Sequence, residues 1–447
     1  MSLLEHLEKR NGSDHFLHSG NRWISVEEAR SASYAVRRQF STLRGGAVML
    51  ESGEPADTVL GLLSLDGFAG KLLLVGSSLS DEERHDFSRR ASVDQSVGCG
   101  SGKENSLRWD NVTGLNDGSG PDLETRWIIP TSGTTGKPKL VEHLLESLAS
   151  SIKRDTSRGK GLVWGVLYDI TRFAGIQVLL QAVLGGSALA LPSNITDLTA
   201  IRSQFAAAGV NALSATPSMW RKLVMSGVLD GLQIKIVTLG GETADEMILR
   251  ELRTRFPEAR ITHIYASTEA GVGFSVVDGK AGFPVDYTKD ELAGGVTLRV
   301  DDNNRLFIRK TVSRSRYVGN EPALVDEQGW IDTGDLVEQR GDRFHFLGRA
   351  NGTINVGGHK VHPAEIENVI LSVEGVAMAS VTGRSNPIMG NVVEAWVVPV
   401  RDTDPVSLRG RILAECKCRM EPFKVPASLK IVQDLPLTLS GKIRRQY

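Results

Sequence analysis

The sequence predicts a mixed α/β fold with a large N-terminal domain and a small α+β C-terminal domain. Three observations lead to this prediction: the length of 447 residues, apolar runs that alternate with helical patterns, and a change of pattern after residue 349. A chain of this length exceeds one simple core, so two to three domains are expected. Apolar runs that alternate with helical stretches are typical of parallel sheets covered by helices.

The first part of the chain is predicted to form β-α units. Residues 1–120 contain the helical pattern "SVEEARSASYAVRRQF" and the apolar runs "GAVMLES" and "KLLLVGSS". Residues 95–121 are rich in glycine and small polar residues, which predicts a loop. From Arg126 the strand-like runs "RWIIP", "LVWGVLY", "SALALP", "VNALSATP" and "IKIVTLGG" alternate with helical segments, of which "HLLESLASSIK" is the first. This region is expected to form parallel-rich sheets.

The pattern changes in the last third of the chain. The runs "GGVTLRV", "RLFIRK" and "RFHFLGR" predict antiparallel strands and hence a β-rich subdomain. Beyond Arg349, "HPAEIENVILSVEG" and "PVSLRGRILAECKCRM" predict amphipathic helices around the strands "AMASVTG" and "VVEAWVVPV". The predicted domains are therefore residues 1–349 and 350–447.

Composition and charge exclude several classes of protein. Hydrophobic residues make up 40%, charged residues 23%, and the net charge is −1, so there is no overall basic field for nucleic acid. No apolar run is long enough to predict a membrane span. Three cysteines and an N-terminus unlike a signal peptide favour a reducing, cytoplasmic location. The densest basic run, "RKTVSRSR" from Arg309 to Arg316, is expected to form a solvated surface.

The segment "TSGTTGKPKL" has the composition of a phosphate-binding loop. Glycines let backbone N–H groups approach an anion, hydroxyls donate to phosphate oxygens, and lysine adds positive charge. It is not a Walker-type loop, because Gly133 and Gly136 are separated by two residues instead of four and Pro138 follows Lys137. Taken alone, the segment could also be a glycine-rich turn between a strand and a helix.

Six motifs in a fixed order resemble the adenylate-forming superfamily of acyl- and aryl-CoA ligases, peptide-synthetase adenylation domains and luciferases. They are "TSGTTGKPKL", "LGGE", "YASTEAG", "WIDTGDL", "FLGRANGTINVGGHKVHPAEIE" and "PLTLSGKIRR". The first 120 residues match this pattern loosely and are shorter than the family norm. Two positions depart from it: Leu140, where relatives usually have glycine, and Asn351, where they usually have aspartate or lysine.

The resemblance implies that ATP and Mg²⁺ activate a carboxylic acid to an acyl-adenylate with release of pyrophosphate. Because one anion attacks another, such a site requires positive charge and hydrogen-bond donors already in place. The residues that the resemblance assigns to ATP or AMP are Thr131, Ser132, Gly133, Thr134, Thr135, Gly136, Lys137, Gly240, Gly241, Glu242, Tyr265, Ala266, Asp335 and Arg349. Those it assigns to catalysis are Lys442, Thr268 and Glu269, with Glu269 also as the metal ligand.

Individual roles follow from the same resemblance. Tyr265 is expected to stack on adenine, and Asp335 and Arg349 are expected to bind the ribose. Thr268 would contact the α-phosphate. Lys442 would neutralise the reacting carboxylate and the α-phosphate, whereas the lysine of the phosphate loop would help the leaving group.

In this superfamily the small domain is mobile and rotates after adenylation, so that a thiol can attack the adenylate. The resemblance places the hinge at Asn351 and the thiol tunnel at Gly357 and Gly358, where glycines admit a narrow pantetheine arm. Free CoA is the acceptor we favour; the phosphopantetheinyl arm of a carrier protein, or an amine, stays open. A non-catalytic binding protein of the same fold is a second alternative, which the intact motif residues oppose.

The acid pocket is expected in "LYDITRFAGIQ" and around "YASTEAGVG". Relatives that activate α-amino acids use an aspartate early in the first segment, and alignment from its Gly-Ser end places Phe173 there. An apolar ring cannot pair with an ammonium ion, so an aromatic or small apolar acid is expected. A different alignment would bring Asp169 into play. The predicted pocket residues are Tyr168, Phe173, Ala174, Gly175 and Gly271.

Overall fold

A computed structural model describes residues 1–100, 106–109, 121–131, 138–311, 315–319, 321–438 and 441–444. Its first part forms the predicted β-α units. The elements in chain order are α1 (Leu3–Glu8), β1 (His15–Ser19), β2 (Arg22–Ser25), α2 (Val26–Gln39), β3 (Ala47–Glu51), α3 (Pro55–Leu65), β4 (Lys71–Val75), α4 (Asp81–Ala91), β5 (Gln95–Cys99), β6 (Ser106–Leu107) and β7 (Arg126–Pro130).

The alternation continues in the next part. Its elements are β8 (Leu140–Leu144), α5 (Leu145–Leu148), β9 (Val163–Val166), α6 (Phe173–Gly185), β10 (Ala188–Leu191), α7 (Leu198–Ala208), β11 (Ala212–Ala215), α8 (Pro217–Ser226), β12 (Ile236–Gly240), α9 (Glu246–Arg255), β13 (Arg260–Ser267) and β14 (Gly271–Val276). The predicted helix "HLLESLASSIK" is wrong for most of its length. Its first residues belong to β8, which pairs antiparallel with β7, and only α5 remains helical.

The last part is rich in strands, as predicted. Its elements are β15 (Phe283–Pro284), β16 (Val296–Val300), β17 (Arg305–Lys310), β18 (Arg316–Tyr317), β19 (Trp330–Arg340), β20 (Arg343–Arg349), β21 (Ile354–Val356), β22 (His359–Val361), α10 (Pro363–Leu371), β23 (Val376–Asn386), β24 (Gly390–Pro399), α11 (Pro405–Arg419) and β25 (Ser428–Ile431).

These strands form four sheets within the described ranges. Two are large and mostly parallel, with strand orders β14-β13-β12-β11-β9-β10-β1-β2 and β18-β8-β7-β4-β3-β5-β6. The third, β15-β20-β19-β17-β16, is antiparallel and is the predicted β-rich subdomain. The fourth contains β22-β21-β24-β23, with β25 parallel to β24. The mixed α/β fold class is therefore confirmed.

The fourth sheet has an apolar core of its own. Its buried residues come from α10, α11 and the strands after Ile354, and include Ile366, Val381 and Leu408, each 0% exposed. A small α+β unit at the end of the chain agrees with the predicted arrangement, whereas a domain boundary between residues 349 and 350 stays a prediction.

Helix α8 connects the large sheet to the C-terminal part of the chain. Thr216 caps its first turn by accepting from the Met219 N–H, Pro217 occupies the first helical position, and Gly227 ends it with φ of +68°. On one side Trp220 packs in the core. On the other side, Met225 packs against an apolar cluster formed by Ala377, Met378, Val398 and Leu435. No helix of the described ranges is long and apolar enough to cross a membrane.

Replacing Trp220 is expected to destabilise the large domain strongly. The side chain is 0% exposed, and its indole N–H donates to the Thr238 carbonyl at 2.9 Å. Trp220→Ala should lower the free energy of unfolding by about 3–5 kcal/mol, because it leaves a cavity and an unpaired carbonyl. Denaturant unfolding measures this. Val406→Ala, at a side chain that is 81% exposed, should stay within about 0.5 kcal/mol of the parent; equal losses in both variants would contradict the packing.

Candidate active site

Two predicted site segments, and a threonine that was not predicted, lie at the carboxyl ends of adjacent parallel strands. Thr216 follows β11, Gly241 and Glu242 follow β12, and Thr268 follows β13. In open parallel sheets this edge is where ligands bind, because the strands end there and the connecting loops diverge. The order of the strands therefore brings together motifs that are far apart in the sequence.

The C-terminal motif is held at this edge by two hydrogen bonds. The Thr216 hydroxyl donates to the Gly441 carbonyl, and the Ile443 N–H donates to Glu242 Oε1 at 3.1 Å. The other oxygen of Glu242 accepts from the Ser218 N–H at 3.0 Å. Glu242, predicted to bind the nucleotide, therefore joins the start of α8 to the C-terminal segment.

Lys442 consequently lies against the turn after β12. A Cβ added to Gly241, whose φ is +82°, would lie 3.2 Å from the Lys442 Cε. Only glycine leaves room for the lysine stem at this backbone conformation. Burial lowers the pKa of Lys442, and the negative charges of Glu242, Asp335 and Glu269 oppose that shift. Lysine and acids from four predicted motifs thus act on one another across the site.

Asp335 and Arg349 face each other on β19 and β20. Their Cα atoms are directly opposite in the sheet register, and Arg349 Nε lies 2.8 Å from Asp335 Oδ1. Arg349 also donates to the Thr333 carbonyl at 2.9 Å, so the guanidinium is fixed by two partners. Burial raises the pKa of Asp335, and the positive charge of Arg349 opposes this rise.

The ring of Tyr265 lies in an aromatic cluster. It stacks on Phe274 at 5.2 Å and on Phe346 at 5.1 Å between ring centroids. Its hydroxyl donates to Asp335 Oδ2, which fixes the carboxylate from the side opposite to the arginine. The structure thus gives Tyr265 a role in positioning Asp335; its stacking on adenine stays a prediction, as does a nucleotide contact by the neighbouring Ala266.

His143 was missed by the sequence analysis. It lies on β8, is 1% exposed, and its Nε2 is 2.8 Å from the Thr268 carbonyl. Since a carbonyl only accepts, Nε2 carries the proton, and Nδ1 accepts from the Ser315 hydroxyl at 2.8 Å. Burial lowers the pKa of His143 to about 4, so the ring is neutral at pH 7. The available signal was a histidine three residues after the motif "TSGTTGKPKL".

The predicted acid-pocket residues divide into two groups. Phe173 begins α6, and its Cζ lies 4.0 Å from a Cβ added to Gly271; Ala174 follows it and is half-buried. Tyr168 and Gly175 are instead tightly packed. Tyr168 is 6% exposed, and a Cβ added to Gly175 would lie 2.2 Å from the Asp169 carbonyl. Gly175 therefore serves the close approach of two backbone segments, and its place in the acid pocket stays a prediction.

Other predicted residues lie in turns. Asn351 belongs to a single 3₁₀ turn after β20 and is exposed. Gly357 and Gly358 form the turn between β21 and β22 with φ of +57° and +89°, and nothing lies within 4 Å of a Cβ added to Gly358. The residues from 132 to 137 of the phosphate loop lie outside the described residues. Thr131 is described, and its N–H donates to the Lys139 carbonyl at 2.8 Å.

Comparison with known families identifies the class of protein. The family model for AMP-binding enzymes matches residues 79–311, and the model for the C-terminal domain of AMP-binding enzymes matches residues 365–442. The first match alone spans more than half of the chain. The chain therefore belongs to the AMP-binding enzyme family, which confirms the resemblance to adenylate-forming enzymes.

Individual relatives agree with this assignment. A 2-succinylbenzoate–CoA ligase of Listeria innocua is 26% identical over 340 residues, which cover 73% of this chain and 71% of the relative. Surfactin synthase subunit 1 of Bacillus subtilis is 29% identical over 366 residues, but these are 10% of that protein. The structure of o-succinylbenzoate CoA synthetase from Bacillus subtilis with its acyl-adenylate intermediate superposes with a TM-score of 0.76 at 20% identity, and covers 99% of this chain and 96% of that one.

The buried His143 is expected to make stability depend on pH below neutrality. Its pKa is about 4 in the folded state, against an ordinary value of 6.5, so the unfolded chain binds a proton first as the pH falls. The contribution of the neutral His143 to the free energy of unfolding is therefore fully present above pH 6.5. It is lost as the pH falls from 6.5 to 4. Between pH 7 and pH 5 this single group should remove about 2 kcal/mol.

The measurement compares the parent protein with His143→Gln by denaturant unfolding at the two pH values. All other titrating groups are common to both proteins, so the difference between the two losses isolates His143. The variant should lose about 2 kcal/mol less than the parent between pH 7 and pH 5. An identical pH dependence in both proteins would show that the ring is not held neutral.

Proposed function

We propose that the protein joins a carboxylic acid to the α-phosphate of ATP, releases pyrophosphate, and transfers the acyl group of the adenylate to the thiol of CoA. The observation that carries this proposal is the placement of Lys442 at the turn after β12, among the charges of Glu242, Asp335 and Glu269. A buried C-terminal lysine at the carboxyl edge of a parallel sheet suits the formation of an acyl-adenylate.

In the first step a carboxylate oxygen attacks the α-phosphorus, and the bond to the bridging oxygen of pyrophosphate breaks. Negative charge accumulates on the oxygens of the α-phosphate as the bond forms. The Lys442 ammonium would neutralise this charge, and the Thr268 side chain would donate to the same group. His143 holds the Thr268 carbonyl and so would fix the turn that carries this donor.

The nucleotide would be oriented by the Asp335–Arg349 pair. The carboxylate can accept from ribose hydroxyls while the arginine and the Tyr265 hydroxyl hold it in place. The half-buried Glu269 suits Mg²⁺, which takes one or two carboxylates with phosphate and water ligands. Within the described residues no group of three metal-ligating side chains occurs, so this part of the chain has no metal site that consists of protein ligands alone. The metal would supply charge neutralisation on the phosphates.

In the second step the thiol sulfur attacks the acyl carbonyl and AMP leaves. The exposed turn at Gly357 and Gly358 would admit the pantetheine arm after rotation about Asn351. CoA is the proposed acceptor because the relatives named above include a CoA ligase matched over most of its length. An aromatic acid is the proposed substrate, since the Phe173 ring borders the space that the missing side chain of Gly271 leaves.

Loading of a carrier protein, or formation of an amide, is the second candidate. The match to a surfactin synthase subunit favours it. Pyrophosphate release should be screened over aryl, short-chain and medium-chain acids, and the active acids then incubated with CoA or with a phosphopantetheinyl carrier. Acyl-CoA formation supports the proposal. Labelling of the carrier without formation of any acyl-CoA would show that the acceptor is the carrier and not CoA. If none of the acids led to release of pyrophosphate, the proposed ligase activity would be contradicted.

Lys442→Ala should separate the two half-reactions. Without the ammonium, acid-dependent pyrophosphate release should fall by about 10²–10³-fold, the usual loss for one preorganised charge donor. Thioester formation from supplied acyl-adenylate should change little. Lys417→Ala, which removes an exposed lysine from α11 of the same domain, is the control and should leave both rates unchanged. Equal loss of both half-reactions in Lys442→Ala would contradict the assigned role.

Asp335→Asn should weaken ATP binding selectively. The amide cannot form the ion pair with Arg349 and accepts less strongly from ribose hydroxyls, so KM for ATP should rise about 10-fold or more while KM for the acid stays the same. Asp332→Asn is a matched control on the same strand, because its exposed carboxylate pairs with Arg305 outside the site. A rise of both KM values together would point to a general structural defect.

A further inference from the structure

Lys310 is turned inward, which corrects the expectation that its basic run forms a solvated surface. It is the last residue of β17, and the strand alternates: Leu306 and Ile308 are each 0% exposed, whereas Arg309 is exposed. Because side chains two residues apart share a face of a strand, Lys310 continues the inward face of Leu306 and Ile308. It is half-buried.

The ammonium of Lys310 lies at the acid pocket. A Cβ added to Gly271 would lie 2.9 Å from the Lys310 Nζ and 4.0 Å from the Phe173 Cζ. Gly271 has φ of +67° and directly follows the turn that carries Thr268. The missing side chain at Gly271 therefore leaves a space bordered by a cation on one side and an aromatic ring edge on the other.

This cation has no protein partner among the described residues. No hydrogen bond or ion pair is made by its Nζ within that part of the chain, and burial is the sole cause that shifts its pKa, to about 8. The group is thus still protonated at pH 7. A partly desolvated ammonium without a counter-charge is unfavourable, so its position indicates an anion that the chain itself does not supply.

The reacting carboxylate is not that anion. It belongs beside Lys442, and the charges that bear on Lys442 are those of Glu242, Arg349, Asp335 and Glu269. Lys310 is not among them, and no other charge shifts the pKa of Lys310. The two ammonium groups therefore act on different parts of whatever occupies the space between them.

We propose that the Lys310 ammonium binds a second carboxylate of the acid, so that the preferred substrates are dicarboxylic acids, in particular aromatic acids with a second carboxylate. The proposal rests on the proposed function. The reacting carboxylate lies at Lys442, the body of the acid packs on Phe173 and over Gly271, and the second carboxylate reaches Lys310. Its charge balances the half-buried ammonium, which has no counter-charge among the described residues.

The test compares matched pairs of acids: isophthalic with benzoic acid, succinic with butyric acid, and adipic with hexanoic acid. For each pair, kcat/KM is measured by acid-dependent pyrophosphate release, and the ratio of diacid to monoacid is formed. This ratio does not depend on the fraction of folded enzyme, so partly unfolded variants still give a valid result. The parent should prefer the diacid of at least one pair by about 10-fold or more, as expected for one charge-assisted hydrogen bond.

Three variants complete the experiment. Lys310→Met keeps the length of the side chain without the charge and should abolish the preference, with kcat/KM for the monoacid changed little. Lys310→Arg should retain a preference for diacids. Arg309→Met removes the neighbouring exposed charge, which stacks over Trp330 at 4.7 Å, and should leave the ratio unchanged.

Two results would overturn the inference alone. The first is a parent enzyme that turns over the monoacids and shows no preference for the diacid of any pair. The same conclusion would follow if Lys310→Met lowered kcat/KM for both members of the preferred pair by the same factor. If neither the monoacids nor the diacids gave any release of pyrophosphate, the proposed function would be overturned, and this inference with it.

Discussion

The site depends on the attachment of the C-terminal segment to the carboxyl edge of the large sheet. Thr216 and Glu242 hold the backbone of Gly441 and Ile443, and Lys442 between them extends along the turn at Gly241. Without this attachment Lys442 would not lie beside Gly241 and among the charges of Glu242, Asp335 and Glu269. In the described residues these two hydrogen bonds, the Lys222–Asp434 ion pair and the small apolar cluster beside α8 form a modest interface, which is compatible with the proposed rotation of the small domain.

Most of the buried ionisable side chains in the site are held in place by hydrogen bonds or ion pairs with their neighbours. Asp335 is held by Arg349 from one side and by the Tyr265 hydroxyl from the other, and His143 stays neutral so that it can hold the Thr268 carbonyl. Such fixed donors and acceptors need little rearrangement when charge develops during the reaction. Lys310 is the exception, because the described residues give it no counter-charge. A lysine without a counter-charge does not stabilise the fold, and its position is better explained by the proposed binding of a substrate carboxylate.

The prediction from sequence was most accurate for long periodic segments and ordered motifs. The alternating β-α pattern, the antiparallel strands after residue 290 and the helices α10 and α11 were all predicted. It failed where strand pairing overrode the local pattern, as at His143 and Leu144, which were predicted to be helical but belong to β8 and pair with β7. It also failed at Lys310, where a basic run concealed the inward face of a strand.

The sequence by itself determined the class of chemistry, because motifs for phosphate, ribose and a C-terminal lysine occur in one order along the chain. The residue types in these motifs reflect the groups that the chemistry requires, and their order identifies the family without showing which residues contact one another. Only the tertiary structure decided which groups contact one another: Tyr265 with Asp335, His143 with Thr268, and Lys310 with the space at Gly271. These contacts join residues 70, 125 and 39 positions apart, and strand order and register, which bring them together, are properties of the folded sheets.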